Sequence, residues 1–162
     1  MRVANVLVVD DDLAVCRIVQ RMLSDEQHLV QTCQSVATAL EAIEERPFDA
    51  YLMDYKLPDG TGLEVAERVR SKWGAAPIIL MSGYDPSAVE LRAANLQISD
   101  FIEKPFSREI ICNAVEKAIG LPAAPASAPE SHQTQGSRQI NFVPRRLAAF
   151  KQMWRTLNSV FS

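Results

Sequence analysis

The stretch Val6-Leu7-Val8-Val9-Asp10-Asp11-Asp12 decides how this chain is read, because four apolar residues run directly into three carboxylates. An apolar run that short, without polar alternation, fits a strand buried on both faces. Adjacent carboxylates repel and raise each other's pKa unless a cation neutralises them. Hard oxygen donors presented together suit magnesium, which binds through one or two carboxylates plus waters and phosphate oxygens. The same residues also suit a solvated helix start, since Asp caps helix N-termini and favours the positive end of the dipole. The three aspartates alone leave both readings open.

Working outward, residues 1–120 alternate short apolar runs with amphipathic stretches. The expected strands are Asn5–Val9 (β1), Leu29–Cys33 (β2), Ala50–Met53 (β3), Ile78–Met81 (β4) and Phe101–Ile102 (β5). The expected helices are Leu13–Asp25 (α1), Ser35–Glu45 (α2), Gly62–Trp73 (α3), Pro86–Ala94 (α4) and Ser107–Ile119 (α5). In α1 the residues Val15, Ile18, Val19, Met22 and Leu23 form one stripe, as a half-buried helix requires. Gly74 and Gly120 stand where α3 and α5 should stop, and Asp85 before Pro86 is a good start for α4. Five strands alternating with five helices predict an α/β fold, a doubly wound parallel sheet. Ligands of such sheets bind beyond the carboxyl ends of the strands.

The composition bounds the rest. The 162 residues, 48% hydrophobic and 23% charged, fit a globular domain with some excess. No apolar run approaches the roughly 18 residues of a membrane span, and the N-terminus lacks a signal-peptide pattern. Cys16, Cys33 and Cys112 are odd in number and show no CxxC spacing, so they read as reduced thiols in a cytoplasmic protein. His28 and His132 have no ligand-spaced partners and read as surface residues.

Residues 1–120 hold 12 Lys/Arg against 19 Asp/Glu, a balance of −7, whereas residues 121–162 hold five basic residues against Glu130 alone, a balance of +4. The two parts are therefore expected to do different jobs. Residues 121–139, rich in Pro, Ala, Ser and Gln, read as a disordered linker. In residues 140–162, Leu147, Phe150, Trp154, Leu157 and Phe161 step by 3, 4, 3 and 4, the pattern of an amphipathic helix with a basic side.

At the strand ends the chemistry converges. β1 leads into Asp10 and Asp11, β3 into Asp54, β4 into Ser82, and β5 toward Lys104. A parallel sheet places all of these on one edge. Phosphoryl transfer asks for such a set: a carboxylate nucleophile, a divalent cation, a lysine as a second point charge and a hydroxyl donor. Asp54 is the candidate nucleophile, Asp11 the direct metal ligand, and Asp10 is placed to hold a metal-bound water. Asp12 reads as a first-turn helix acid, and Asp59, between Pro58 and Gly60, as a turn residue.

Four stretches, VLVVDDD at 6–12, MDYKLPDGTGLE at 53–64, MSGY at 81–84 and EKPF at 103–106, resemble the receiver domains of two-component response regulators. Asp54 follows Asp11 by 43 residues, Ser82 follows Asp54 by 28, and Lys104 follows Ser82 by 22, which is similar to that family throughout residues 4–120. The resemblance implies a flavodoxin-like (βα)5 fold with strand order β2-β1-β3-β4-β5. It implies that Asp54 accepts a phosphoryl group from a histidine kinase, a phosphotransfer protein or a small phosphodonor. Asp10, Asp11, Asp54 and the Lys56 main-chain carbonyl would hold Mg2+, Ser82 and Phe101 would be the switch residues, and Lys104-Pro105 would be a cis peptide. Lys56 and Tyr84 hold positions that tend to modulate phosphoryl lifetime, or else simply fill surface. The output would be a shift of the α4-β5-α5 face toward a target protein or a homodimer. Two departures stand out: Ser82-Gly83 where Thr-Ala or Ser-Ala is frequent, and Gln97-Ile98 where Gly-Ala is frequent.

The 42 residues after Gly120 are too few for a winged helix once a linker is subtracted, so the expectation is a single receiver with a basic tail. That tail is expected to dock on the receiver, a second copy, a partner or an anionic membrane surface, without specific nucleic-acid binding. The alternatives are a phosphorelay intermediate, a scaffold that is not phosphorylated, and a magnesium-dependent aspartyl-phosphate phosphohydrolase. The last usually carries a second acid two residues after the nucleophile, where this chain has Lys56. The expectation is therefore a signalling domain rather than an enzyme.

Overall fold

The computed structural model describes residues 2–83, 89 and 93–120. The chain divides into a unit of Met1–Ser127 and a second of Ala128–Ser162, and everything described below belongs to the first. Most of α4, together with Tyr84, Asp85, His132, the linker and the tail, lies outside the described residues.

Five parallel strands form one sheet in the order β2-β1-β3-β4-β5. β1 and β2 have the expected bounds, while β3 is Ala50–Asp54, β4 is Ile78–Ser82 and β5 is Asp100–Glu103. Alternate residues of each central strand feed two separate cores. Leu7, Val9, Tyr51, Met53, Ile78 and Leu80 pack with Ala39, Ile43, Val65 and Val69 of α2 and α3. Val6, Val8, Ala50, Leu52, Ile79 and Met81 pack with Val19 and Leu23 of α1 and Ile111 and Val115 of α5. Burying each such side chain contributes about 1.5–3 kcal/mol, so a one-residue slip of a central strand would exchange the two cores wholesale. This two-sided burial is why β1 and β4 show apolar runs instead of alternation.

Register places the functional strand ends together. Val9 pairs with both Cys33 and Met53, Asp54 with Met81, and Ser82 with Glu103. The helices begin on side-chain caps. Asp12 accepts the Ala14 N–H at 2.7 Å and Ser35 accepts the Thr38 N–H at 3.2 Å, and Glu64 accepts the Thr61 N–H at 3.2 Å. Observed α2 is Val36–Glu45 and α5 is Arg108–Gly120. Gly74 ends α3 with φ +62°, a conformation glycine adopts without strain.

One expectation is corrected. His28 is not a surface residue, being 4% exposed at the α1–β2 junction. Its Nδ1 accepts the Ala4 N–H at 3.2 Å, and its backbone N–H donates to Leu23 O. The imidazole is drawn inward because it satisfies a strand-end amide that would otherwise be buried without a partner. The three cysteines are buried and free. No helix among the described residues is long and apolar enough to cross a membrane.

Candidate functional site

The C-terminal ends of β1, β3, β4 and β5 border an open cleft of about 310 Å³ lined by Asp11, Asp54, Lys56, Pro58, Gly83 and Lys104. Asp10 lies beneath it, fully buried. One of its oxygens accepts the Asp12 N–H at 3.0 Å, and the other lies 2.6 Å from Lys104 Nζ. Lys104, 94 residues from Asp10 in sequence, also reaches Asp54 Oδ2 at 3.3 Å. Its peptide bond to Pro105 is cis. Ser82 ends β4, and its carbonyl accepts the Lys104 N–H at 2.8 Å, which ties the hydroxyl-bearing residue to the lysine through the backbone. Phe101, in β5, packs half-buried on the α2–α3 side of the core. Lys56 lies in a two-residue hairpin with Thr61 just beyond Asp54.

Carboxylate oxygens of Asp10, Asp11 and Asp54 all lie within 4.8 Å of one another. Three acids and one lysine leave two negative charges uncompensated, which is the charge of one divalent cation. The donors are all hard oxygens, two of them buried and one exposed, so the residues fit Mg2+. The electrostatics report the same deficit. Burial raises the Asp54 pKa from its ordinary 3.8, and Asp10 and Asp11 raise it further, while Lys104 only partly opposes them. Burial works against the Lys104 ammonium too, but Asp10 and Asp54 outweigh that and hold it above 10.5. Asp12 takes its place as the α1 cap.

Two positions matter beyond the acids, the hydroxyl and the lysine. Gly62 opens α3 where a Cβ would lie 2.3 Å from Asp54 O, so only glycine lets the helix start this close to the acid's backbone. Asp59 belongs to more than its turn: its carboxylate accepts N–H bonds from Val36 (2.8 Å) and Ala37 (2.9 Å), fastening the loop after Asp54 to the N-terminus of α2. Those bonds hold its pKa below 3.8. A Pro-Asp-Gly triplet signals a turn, but no spacing rule reveals a cross-loop cap of this kind.

An open parallel α/β sheet with three acids and a lysine gathered at its C-terminal edge defines a doubly wound domain with a charged site where such sheets bind their ligands. Residues 6–116 match the family model of the response regulator receiver domain, and the chain belongs to that family. The acid tolerance regulatory protein ActR of Rhizobium meliloti (strain 1021) is 30% identical over 127 residues, covering 78% of this chain. The chain spans 66% of ActR's length. The response regulator MprA of Mycobacterium sp. (strain KMS) is 28% identical over 164 residues, covering 92% of this chain and 71% of MprA. The solved CheY-like receiver domain protein of Methanospirillum hungatei superposes with a TM-score of 0.70 at 24% identity, over 73% of this chain and 94% of that one, which establishes the fold. Receiver domains are signalling domains, not enzymes in the ordinary sense.

Proposed function

We propose that the chain is a phosphoryl-accepting signalling module with Asp54 as acceptor. An Asp54 carboxylate oxygen attacks the phosphorus of a phosphohistidine on a kinase or phosphotransfer protein. The P–N bond breaks, its electron pair stays on the imidazole, and water supplies the proton that the released nitrogen takes up. The observation that carries this reading is the convergence of Asp10, Asp11, Asp54 and Lys104 on one cleft, with Asp54 lining it. Asp10, Asp11, Asp54 and the Lys56 carbonyl are the groups to hold Mg2+, which when bound offsets charge on the transferring oxygens. Lys104 supplies a second positive charge, leaving Asp10 and Asp54 for the new phosphoryl oxygens, and the Ser82 hydroxyl donates to one of them.

The acyl phosphate carries roughly −2 charge. Its pull on Ser82 and Lys104, which share the β4–β5 backbone bond, biases Phe101 and the α4-β5-α5 face between two packings, one of which binds a target or a second copy. Lys56 and Tyr84 tune how long the phosphoryl group survives. The module acts in the cytoplasm, and the basic segment 140–162, beyond the 121–139 linker, docks on an acidic protein surface. Passage of the phosphoryl group to a further histidine uses the same chemistry in reverse.

The test is beryllofluoride with Mg2+, followed by NMR of the backbone amides. Shifts at Ser82, Phe101 and Lys104 in the wild type, absent in Asp54→Asn, are expected. The same shifts in the variant would remove Asp54 from the acceptor role.

A further inference from the structure

Arg70 stands in the last turn of α3, and its guanidinium donates to four carbonyl oxygens. Nε donates to Leu96 O at 2.6 Å, Nη1 to Gly74 O at 2.8 Å and to Ala76 O, and Nη2 to Gln97 O at 2.8 Å. Among the described residues no carboxylate pairs with it, although burial pulls its pKa below the ordinary arginine value. Arg68, two residues earlier, does what a surface arginine ordinarily does and pairs with Glu44. Arg70 instead uses its rigid fork to gather two separate stretches of backbone: the connection from α3 to β4, at Gly74 and Ala76, and the 3-10 turn Ala94–Leu96 with Gln97.

The position of those carbonyls gives the contact its reach. Gln97 has φ +50°, a left-handed conformation uncommon outside glycine. Two residues on, Ser99 N–H donates to Ile78 O at 2.7 Å and the Ser99 hydroxyl accepts the Ile78 N–H at 3.2 Å. The chain then enters β5, which carries Phe101 and leads to Lys104. We propose that Arg70 is a positioning residue that pins the lead-in to β5 against the end of α3. It holds Gln97 in its turn without glycine and, through the β5 register, keeps Lys104 at Asp10 and Asp54. Arg70 touches no reacting atom, and the functional half of this inference rests on Asp54 being the phosphoacceptor.

The test uses the full chain with Arg70→Met, which keeps reach but loses every donor, and Arg70→Lys, which keeps the charge but loses the fork. Site-resolved amide exchange compares Ser99 with Leu29, whose N–H bonds to Ala4 O far from the contact. In both variants Ser99 exchange is expected to accelerate at least about tenfold more than Leu29 exchange. Labelling of Asp54 by acetyl phosphate is expected to slow about tenfold, with Mg2+ affinity held within about twofold. Ser99 and Leu29 accelerating in step would make Arg70 an ordinary contributor to stability and overturn the proposal. Full Ser99 protection in Arg70→Lys would show that charge alone suffices and would overturn it as well. Should Arg70→Met not fold, Arg70→Lys decides between these outcomes. A wild type that takes no phosphoryl group would sink the function proposed above, while the exchange result would still decide the anchor by itself.

Discussion

Replacing Gly62 by alanine adds a single methyl group, and the structure says where it goes. The new Cβ would lie 2.3 Å from Asp54 O, 3.1 Å from Asp54 C and 3.3 Å from Met53 Cγ, where real Cβ contacts stay beyond 3.0 Å. Relief to that limit takes at least 0.7 Å of separation between two backbones. Asp54 cannot yield freely, because β3 is paired on both sides, with β1 and β4. The start of α3 must therefore move, and with it the Gly62 N–H bond to Tyr55 O at 3.0 Å. Overpacking of this kind costs about 1–3 kcal/mol, offset by up to about 1 kcal/mol of helix propensity gained by alanine. A net loss near 1–2 kcal/mol lowers the Tm of a unit this size by roughly 5–10 °C. Gly83→Ala is the control, since a Cβ there meets nothing within 4 Å. Thermal unfolding by circular dichroism should show the Gly62→Ala loss and a Gly83→Ala transition within about 2 °C of wild type. Equal Tm values for the two variants would refute the close-approach argument.

Three further outcomes are expected. Lys104→Met removes the ammonium bonded to buried Asp10; with about a fifth of the lysine side chain exposed, the loss should be near 2 kcal/mol in urea titrations with EDTA, and saturating Mg2+ should recover most of it. An equal loss with and without Mg2+ would contradict the shared charge deficit. Tyr51→Phe strands the Phe48 N–H that Tyr51 Oη accepts at 3.0 Å, at a cost of about 1–2 kcal/mol at pH 7. Burial raises the Tyr51 pKa above 10.0, so the folded state keeps a proton that the unfolded chain releases. Its contribution is whole below pH 10 and is lost as pH rises through the folded value, so the gap between wild type and Tyr51→Phe should shrink in alkali. Asp59→Ala should speed amide exchange at Val36 and Ala37 selectively. The Asp59 pKa is depressed, so its contribution is present above 3.8 and lost as pH falls through the lower folded value, and protection of Val36 and Ala37 relative to their intrinsic exchange rates should fall in acid only in the wild type.

The sheet was legible because its cause is periodic. Val6 to Val9 are apolar without alternation since they feed two cores, and the acids at strand ends follow from parallel register. Lys104 and Asp10, 94 residues apart, could be brought together on paper for the same reason. What escaped the sequence concerns backbone atoms. The crowding at Gly62 depends on where Asp54 O points, the Asp59 cap on where the α2 amides emerge, and the Arg70 contact on four carbonyls from two loops. Buried His28 belongs with them, since its partner is the Ala4 amide. Side-chain patterns report which residues face a core; they carry no record of which backbone groups are left needing a partner.

The central claim is that Asp54 is the phosphoacceptor. Its most direct test is chemical: treat the chain with acetyl phosphate and Mg2+, reduce the acyl phosphate with borohydride, and locate the resulting homoserine by peptide mass spectrometry. The account predicts reduction at position 54 and nowhere else, dependent on Mg2+ and slowed in Lys104→Met. Homoserine at position 10, 11 or 12, or none at all while phosphoryl is incorporated, would contradict it.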